Sequence, residues 1–191
     1  MTQPLHIVAL CGSLRQHSYN GMLMHTALQA LGPAVQHEVL PWADVPPFNA
    51  DVLDAQGQPP SVQRLRERIR AADGVLLVTP EYNYALPGML KNTLDWISRG
   101  ADQPFAGKPV ALLSATTGPL GGARVQNEAR RVMLFLNALV LQKPEVYVGM
   151  AASKFDAEGR CTDEVTRGFV AAQMEAFQRW VRDVQRMQGG Q

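Results

Sequence analysis

The chain has 191 residues, a length that corresponds to one domain with a sizeable core, so neither disulfides nor a structural metal is needed for stability. Its 18 Lys and Arg residues against 17 Asp and Glu residues give a net charge of +1, and 46% of the residues are hydrophobic. This ordinary globular balance argues against disorder and against a basic nucleic-acid-binding protein.

The cysteines and the N-terminus indicate where the protein works. Cys11 and Cys161 lie far apart in the sequence, which favours free thiols in a reducing compartment, with Cys11 in the core and Cys161 at the surface. No segment has the pattern of a signal peptide or reaches the roughly 18 apolar residues of a membrane span. The sequence therefore predicts a cytoplasmic protein, with a single domain at residues 1–188 and a flexible tail at 189–191.

Short apolar runs alternate with stretches of helical periodicity, a pattern typical of a parallel sheet covered by helices. Continuous Val, Leu and Ile without polar alternation indicates strands that are buried on both faces. The predicted strands are Leu5–Cys11, Val35–Leu40, Gly74–Thr79 and Pro109–Ser114. A weaker fifth strand is predicted at either Ala138–Leu141 or Val146–Val148.

Apolar residues three or four positions apart predict the helices between the strands. Three such stripes run over 24–31, 90–97 and 125–136, and a charged helix over Ser61–Ala72 is interpreted as a solvated outer layer. In the longest, C-terminal helix the stripe expected to face the sheet consists of Val165, Phe169, Ala172, Ala176 and Trp180.

One segment, Pro41–Pro60, lacks periodicity and is rich in Pro, Asp and Gln. Irregular loops of this length are usually functional lids or interface pieces, so we expect one of these roles. Trp96, Phe177 and Trp180 lie at helical spacings and are interpreted as core or subunit-interface residues.

Ligands of open parallel sheets bind beyond the carboxyl ends of the strands, so the loops there are where chemistry is expected. The first loop, Gly12–Asn20 (GSLRQHSYN), places Ser13, Arg15, Ser18 and Asn20 at the start of a helix. Free backbone N–H groups and the helix dipole favour an anion at this point, which predicts a phosphate site. The alternative is an N-cap cluster, because Ser and Asn commonly begin helices.

Rival phosphate and metal motifs are missing. The first loop contains neither the GxGxxG of dinucleotide-binding folds nor the GxxxxGK[ST] of nucleotide triphosphatases. A low-molecular-weight tyrosine phosphatase would require an arginine six positions after Cys11, where this chain has His17. The 4 histidines lack the spacing of metal ligands, so no metal site is predicted.

Two further loops carry unusual residues. The second loop, Thr79–Pro87 (TPEYNYALP), sets two tyrosines around an asparagine, which suits a flat heteroaromatic ring with polar edges. Taken alone, an aromatic loop is more often surface packing. The third loop, Ser114–Arg124 (SATTGPLGGAR), combines hydroxyl groups with glycines that let the backbone approach a ligand.

Together, the three loops resemble the NADPH-dependent FMN reductase family of flavodoxin-like proteins, and most closely its bacterial chromate and quinone reductase branch. The shared patterns are G-S-x-R-x-x-S-x-N, P-E-Y-N-x-x-x-P-G-x-L-K-N-x-x-D-W and G-x-x-G-G-x-R, in this order and at the expected strand ends. The resemblance spans nearly the whole chain. It implies a flavodoxin-like α/β fold, a doubly wound three-layer sandwich with a five-stranded parallel sheet.

The resemblance also implies a function. The family member would be a homodimer or homotetramer with one FMN per subunit. NADH or NADPH would reduce the FMN by hydride transfer to N5, and quinones, azo dyes, chromate or free flavins would then reoxidise it in a ping-pong scheme. The chemistry belongs to the flavin, so no catalytic side chain is expected. The partners would be small molecules, with no nucleic acid or membrane involved.

Site residues follow position by position from the resemblance. The FMN phosphate would be held by Ser13, Arg15, Ser18, the backbone of Tyr19, and Asn20. The isoalloxazine ring would be lined by Pro80, Glu81, Tyr82 and Asn83. Its pyrimidine side and the ribityl chain would be covered by Ser114, Thr116, Thr117 and Gly118. Tyr84 and Arg124 would border the substrate pocket or a subunit contact, and Glu81 is interpreted as a structural acceptor rather than a general base.

Two alternative functions stay open. An electron-carrier flavodoxin would bind FMN without reacting with NAD(P)H, but such carriers are strongly acidic and lack an arginine in the phosphate loop. A flavin reductase that supplies reduced FMN to a partner enzyme would differ only in how tightly it holds FMN.

Overall fold

The computed structural model describes residues 4–189. Strands and helices alternate along this part of the chain. The strands are β1 (His6–Cys11), β2 (Gln36–Val39), β3 (Gly74–Val78), β4 (Pro109–Ala115), β5 (Leu139–Val140) and β6 (Val146–Val148). The helices are α1 (Tyr19–Ala30), α2 (Ala50–Gln56), α3 (Pro60–Ala71), α4 (Gly88–Ile97), α5 (Ala123–Phe135) and α6 (Glu164–Gly189), and a short 3₁₀ turn covers Ala151–Ser153.

The strands form one parallel sheet in the order β2-β1-β3-β4-β5, with β6 also paired to β4. This confirms the flavodoxin-like α/β fold and its five strand positions. The two alternatives for the fifth strand both form, because β5 pairs with Pro109 and Val110 while β6 pairs with Leu113–Ala115. Between them lies Pro144, which has no backbone N–H for a ladder.

Helices cover both faces of the sheet. Alternate residues of a strand point to opposite faces, so Ile7 and Ala9 of β1 join a core beneath α1 and α6. Val8 and Leu10 join a second core beneath α3, α4 and α5. The result is the expected three-layer sandwich. Within residues 4–189, no helix is long and apolar enough to span a bilayer.

The stripe predicted for the C-terminal helix was wrong. Val165, Phe169 and Ala172 are exposed, and Ala176 and Trp180 are only partly buried. The face of α6 against the sheet consists of Thr166, Val170, Gln173, Met174, Phe177, Val181 and Val184. The true stripe includes two polar residues, so a count of apolar spacings selects the neighbouring one. Trp96 and Phe177 are core residues, as expected.

The segment expected to be irregular between 41 and 60 contains α2 and is anchored to α4. Asn92 Nδ2 and Trp96 Nε1 both donate to the Pro46 carbonyl oxygen at 2.9 Å. The Phe48 N–H in turn donates to Asn92 Oδ1 at 2.7 Å. The asparagine and tryptophan of the L-K-N-x-x-D-W motif therefore hold this segment against α4.

The two cysteines differ from expectation. Cys161 is buried and Cys11 is half-buried, and both are free. Cys161 belongs to the core beneath α1 and α6, and it forms an isolated β-bridge with Phe155 of the same core. At the C-terminus, α6 continues through Gly189, the first residue of the predicted tail, and residues 190 and 191 lie outside the described residues.

Candidate functional site

The first loop lies directly against the end of β3. The Gly12 N–H donates to the Val78 carbonyl oxygen at 2.7 Å. A Cβ atom on Gly12 would come within 2.5 Å of Thr79 Oγ1, so only glycine fits this approach. The loop then enters α1, whose N-cap is Ser18. Its position is thus fixed by packing on the sheet and by the start of the helix.

The start of α1 offers unused hydrogen-bond donors. Capping uses one of them, because the Asn20 N–H donates to Ser18 Oγ at 3.2 Å. Within residues 4–189, no hydrogen bond is made by the backbone N–H groups of Leu14, Gln16, His17 and Tyr19. The exposed Arg15 side chain forms no ion pair in the same range. The N-cap and anion-site interpretations are therefore compatible, and the remaining donors form an anion site at the positive end of α1.

The Asn20 side chain is used within the protein itself. Its Nδ2 atom donates to the Ala115 carbonyl oxygen at 2.9 Å, and the Ala115 N–H donates to its Oδ1 atom at 2.9 Å. Asn20 is buried and both ends of its amide bond the protein, so the structure shows a structural role for it, and its expected phosphate contact stays a prediction. Asn20 joins the first loop to the end of β4.

The second loop makes a tight turn that presents aromatic side chains. Tyr82 and Ala85 exchange two backbone hydrogen bonds, at 3.0 and 2.9 Å. The two residues between them, Asn83 and Tyr84, have φ angles of 51° and 69°. A left-handed backbone is unusual for a tyrosine and marks local strain of the kind found at functional sites. Tyr82 is 50% exposed and Tyr84 is 69% exposed, whereas Pro80 is buried.

Glu81 lies beneath this turn and is paired with the third loop. Its Oε1 atom lies 2.8 Å from Arg124 Nε, and its Oε2 atom accepts from the Val125 N–H at 3.2 Å. The Arg124 guanidinium also stacks on the Tyr84 ring, 3.7 Å from the ring centroid. The structure therefore agrees with a structural role for Glu81, and it brings Tyr84 and Arg124 together at the rim.

The third loop has a buried base and an exposed tip. Ser114 is fully buried, and its Oγ donates to the Gly121 carbonyl oxygen at 2.6 Å, so this hydroxyl lies under the loop and not on the ligand side. Thr116 Oγ1 donates to the Gly118 carbonyl oxygen at 3.1 Å. Thr117 and Gly118 are exposed, and their N–H groups make no hydrogen bond within the described range.

Two side chains beside the first loop, Cys11 and Trp42, add to what the sequence predicted for this site. Burial raises the pKa of the Cys11 thiol, the opposite of what a nucleophilic cysteine needs, which agrees with the exclusion of a phosphatase. Trp42 was missed, although its Nε1 donates to the Cys11 carbonyl oxygen at 2.8 Å. Its position just after β2, at the same edge of the sheet, was the available signal.

The three loops meet at the carboxyl edge of adjacent strands β1, β3 and β4, which suits FMN. Unpaired N–H groups and Arg15 match a phosphate, exposed aromatic side chains match a flat ring, and the open N–H groups of Thr117 and Gly118 match a polar ring edge. Among residues 4–189, no group of three or more His, Cys, Asp or Glu side chains could hold a metal ion. The donor set suits a phosphate group.

Comparison with known proteins decides the family. The model of the family described as NADPH-dependent FMN reductase matches residues 5–153. The chain belongs to the NADPH-dependent FMN reductase family. This confirms the resemblance, and with it an oxidoreductase that uses FMN and a nicotinamide donor. The match contains all three loops and ends before α6.

Family members with curated names cover almost the whole chain. An NAD(P)H-dependent FMN reductase of Pseudomonas aeruginosa is 43% identical over 182 residues, which is 95% of this chain and 98% of the relative. A quinone reductase of Escherichia coli K12 is 43% identical over 186 residues, 96% of this chain and 99% of the relative. Among solved structures, the flavoenzyme NAD(P)H:(acceptor) oxidoreductase FerB of Paracoccus denitrificans has a TM-score of 0.85 at 33% identity, covering 94% of this chain and 98% of FerB.

Proposed function

We propose that this FMN reductase passes electrons from NADH or NADPH through one bound FMN to quinones and similar two-electron acceptors. One observation carries the proposal: at one edge of the sheet lie backbone N–H groups and Arg15, which have no partner within residues 4–189, together with the exposed Tyr82 and Tyr84. The names of the relatives support quinones as the acceptor class, since one at 43% identity is a quinone reductase.

The first loop holds the FMN phosphate in this proposal. Ser13, Arg15, the Ser18 hydroxyl and the Tyr19 N–H are its donors. A hydrogen bond to a charged oxygen contributes about 1.5–3 kcal/mol, and Arg15 adds the one full positive charge in the loop. Asn20 acts from below, because its bonds to Ala115 hold the loop in place.

The second and third loops hold the flavin ring. Pro80, Tyr82 and Asn83 line it, and the backbone of 116–118 covers its pyrimidine side. Glu81 orients the second loop through Arg124 and does not touch the reacting atoms. The exposed Tyr82 and Tyr84 rings lie at the rim, where a flat acceptor can stack.

FMN, when bound, accepts a hydride from NAD(P)H and delivers two electrons to the acceptor. The protein's own residues bind and orient the flavin, and they leave one face open for donor and acceptor in turn. Stacking on an open face discriminates weakly among flat molecules, so azo dyes and free flavins belong to the same proposed acceptor class, together with chromate as a small oxidant.

We also propose that the protein is a homodimer or homotetramer. Leu134 and Phe135, at the end of α5, are 78% and 77% exposed. Beside them a groove of about 440 Å³ runs between α4 and α5, with Leu94 and Val132 in its lining and both Lys91 and Glu128 along it. A surface that carries a protruding aromatic, an apolar groove and charges of both signs can pair with its own copy about a two-fold axis.

The cytoplasm is the proposed location, because both cysteines are free and a reducing compartment keeps them so.

Initial-rate kinetics test the function. NADPH oxidation is measured at several fixed concentrations of a benzoquinone, with the protein loaded with FMN. The proposal expects parallel double-reciprocal lines, the signature of a ping-pong scheme, and loss of activity when FMN is removed. Intersecting lines would contradict alternate use of one face. No quinone-dependent oxidation of NADPH or NADH would favour the electron-carrier alternative, and activity only with a large excess of free FMN would favour a flavin reductase.

A further inference from the structure

Gln126 is a polar residue of α5 with no exposed surface, and nothing in the proposed function uses it. We propose that Gln126 is a positioning residue: acting through Ser114, it fixes the exposed tip of the third loop against the flavin. The inference rests on the proposed FMN site, because it concerns how one of the three loops is held there.

A chain of two hydrogen bonds connects Gln126 to the loop. Gln126 Nε2 donates to Ser114 Oγ at 2.8 Å, and Ser114 Oγ donates to the Gly121 carbonyl oxygen at 2.6 Å. All of this lies in the protein interior, where consecutive hydrogen bonds strengthen one another and are costly to leave unmade. Gln126 therefore acts on the third loop without contacting its tip.

A second bond fixes the orientation of the Gln126 amide. Nε2 also donates to the Val146 carbonyl oxygen at 2.8 Å, and a carbonyl oxygen can only accept. With Nε2 held in this way, Ser114 Oγ accepts from Gln126 and keeps its single proton for Gly121. With the amide flipped, Oε1 would accept the hydrogen bond from Ser114 Oγ, and the Gly121 carbonyl oxygen would lose its donor. Gln126 thus sets the donor and acceptor roles in both hydrogen bonds that lead to Gly121.

The backbone around Gly121 leaves no room for another arrangement. Gly121 and Gly122 have φ angles of 60° and 84°, in the left-handed region that favours glycine. A Cβ atom on Gly121 would lie 2.6 Å from the Tyr147 carbonyl carbon, and one on Gly122 would lie 2.7 Å from Ser114 Oγ. The loop therefore returns to α5 pressed against β4 and β6, directly above the Gln126–Ser114 pair.

Both ends of the third loop are held from beneath. Asn20 pairs with the backbone of Ala115 at the start, and Ser114 holds Gly121 at the end. Between them lie the exposed residues Thr117 and Gly118, whose N–H groups make no hydrogen bond within residues 4–189. Groups that bond a flavin edge must be held within a fraction of an ångström to bind well and tune the ring. Backbone hydrogen bonds also hold the tip to residues 148–151, from the Thr116 N–H to the Val148 carbonyl oxygen and from the Met150 N–H to the Gly118 carbonyl oxygen, both at 3.0 Å. Gln126 supplies the anchor at the end of the loop that returns to α5.

Gln173 offers a matched control on the opposite face of the sheet. It is also buried, and its Nε2 donates to the Leu112 carbonyl oxygen at 3.1 Å and to the Pro144 carbonyl oxygen at 2.9 Å. Leu112 and Pro144 lie two residues before Ser114 and Val146, the residues that Gln126 contacts. The Oε1 atoms of both glutamines have no hydrogen-bond partner within residues 4–189. Gln173 makes the same kind of contact but does not reach the third loop.

The test compares Gln126→Met, Ser114→Ala, their double variant and Gln173→Met in the full chain. The dissociation constant of FMN is measured by fluorescence titration, KM and kcat with a benzoquinone, and Tm in the absence of FMN. We expect Gln126→Met and Ser114→Ala each to raise the FMN dissociation constant about five- to tenfold, the equivalent of one buried hydrogen bond. Both residues act through the same two hydrogen bonds. The FMN dissociation constant of the double variant should therefore rise no further than roughly that of the weaker-binding single variant. Gln173→Met lowers Tm similarly but leaves FMN binding within about twofold.

Three results would overturn the inference: FMN binding unchanged in both single variants, an equal loss in Gln173→Met, or fully additive effects in the double variant. If Gln126→Met fails to fold, Ser114→Ala, which removes only the hydroxyl oxygen, decides the question by the same criterion. A wild-type protein that binds no FMN would refute the proposed function itself. Normal FMN binding by the wild type, unchanged in every variant, would refute only the role of Gln126.

Discussion

Glu81 and Arg124 tie the second loop to the start of α5, with Arg124 Nε 2.8 Å from Glu81 Oε1. The Glu81 side chain is nearly buried, whereas Arg124 is partly exposed and stacks on Tyr84. The second carboxylate oxygen accepts from the Val125 N–H, so both oxygens have fixed partners. A carboxylate held in this way orients the rim of the site and is poorly placed to remove protons.

Glu81→Gln tests this assignment. The amide keeps the size of the side chain and one acceptor oxygen, but the ion pair is lost and Arg124 is freed. We expect KM for the quinone to rise about two- to fivefold, because the partly exposed Arg124 limits the strength of the ion pair, while the dependence of kcat on pH keeps its shape. If instead one limb of the pH profile of kcat disappears, Glu81 is a general base and the structural assignment is wrong.

Arg15→Ala tests the anion site. Arg15 is the one cation in the first loop and forms no ion pair within residues 4–189. Its loss should weaken FMN binding about tenfold and reduce the dependence of that binding on salt, with Tm of the FMN-free protein unchanged. Arg182→Ala is the control, since Arg182 is an exposed arginine of α6. If Arg15→Ala binds FMN as tightly as Arg182→Ala does, the FMN phosphate does not bind at the first loop.

Asn83 separates backbone strain from side-chain chemistry. Its φ angle of 51° favours glycine or asparagine, so Asn83→Ala loses both the turn and the amide, whereas Asn83→Gly keeps the turn. We expect the alanine variant to be less stable than the glycine variant by about 1 kcal/mol, and both to show altered FMN retention. Wild-type FMN retention in Asn83→Gly would reduce Asn83 to a turn residue.

Phe135→Glu tests self-association through the α4–α5 surface. A carboxylate in place of an exposed ring should prevent the two copies from packing, so the molar mass from light scattering should fall toward that of one 20.9 kDa chain. Phe169→Glu, on the outer face of α6, is the control for a charge at an exposed aromatic. A drop in mass only with Phe169→Glu would move the interface to α6, and a monomeric wild type would contradict the proposal.

The sequence predicted the elements whose pattern has a local cause. Continuous apolar runs located the strands, and the order of the strands then placed the three loops at one edge. Gly12 and the L-K-N-x-x-D-W motif were recognised from the family pattern, and the structure supplies their physical reason: a Cβ at Gly12 would collide with Thr79, and Asn92 and Trp96 share the Pro46 carbonyl.

What the sequence could not show is the direction of a polar side chain near a strand end. Asn20 and Ser114 have the residue types of a ligand site, yet both bond the protein beneath the loops. The burial of Gln126 could not be predicted, because a single glutamine in a helix is usually a surface residue. The α6 stripe failed for the same reason, since Thr166 and Gln173 are polar residues on the buried face.

The visible spectrum of the purified protein under anaerobic conditions tests the central claim most directly. FMN-loaded protein is mixed with NADPH, and a benzoquinone is then added to the same cuvette. The account predicts that the flavin absorption bleaches with NADPH and returns with the quinone. A yellow protein that NADPH and NADH leave unbleached, or a colourless protein that takes up no added FMN, would contradict it.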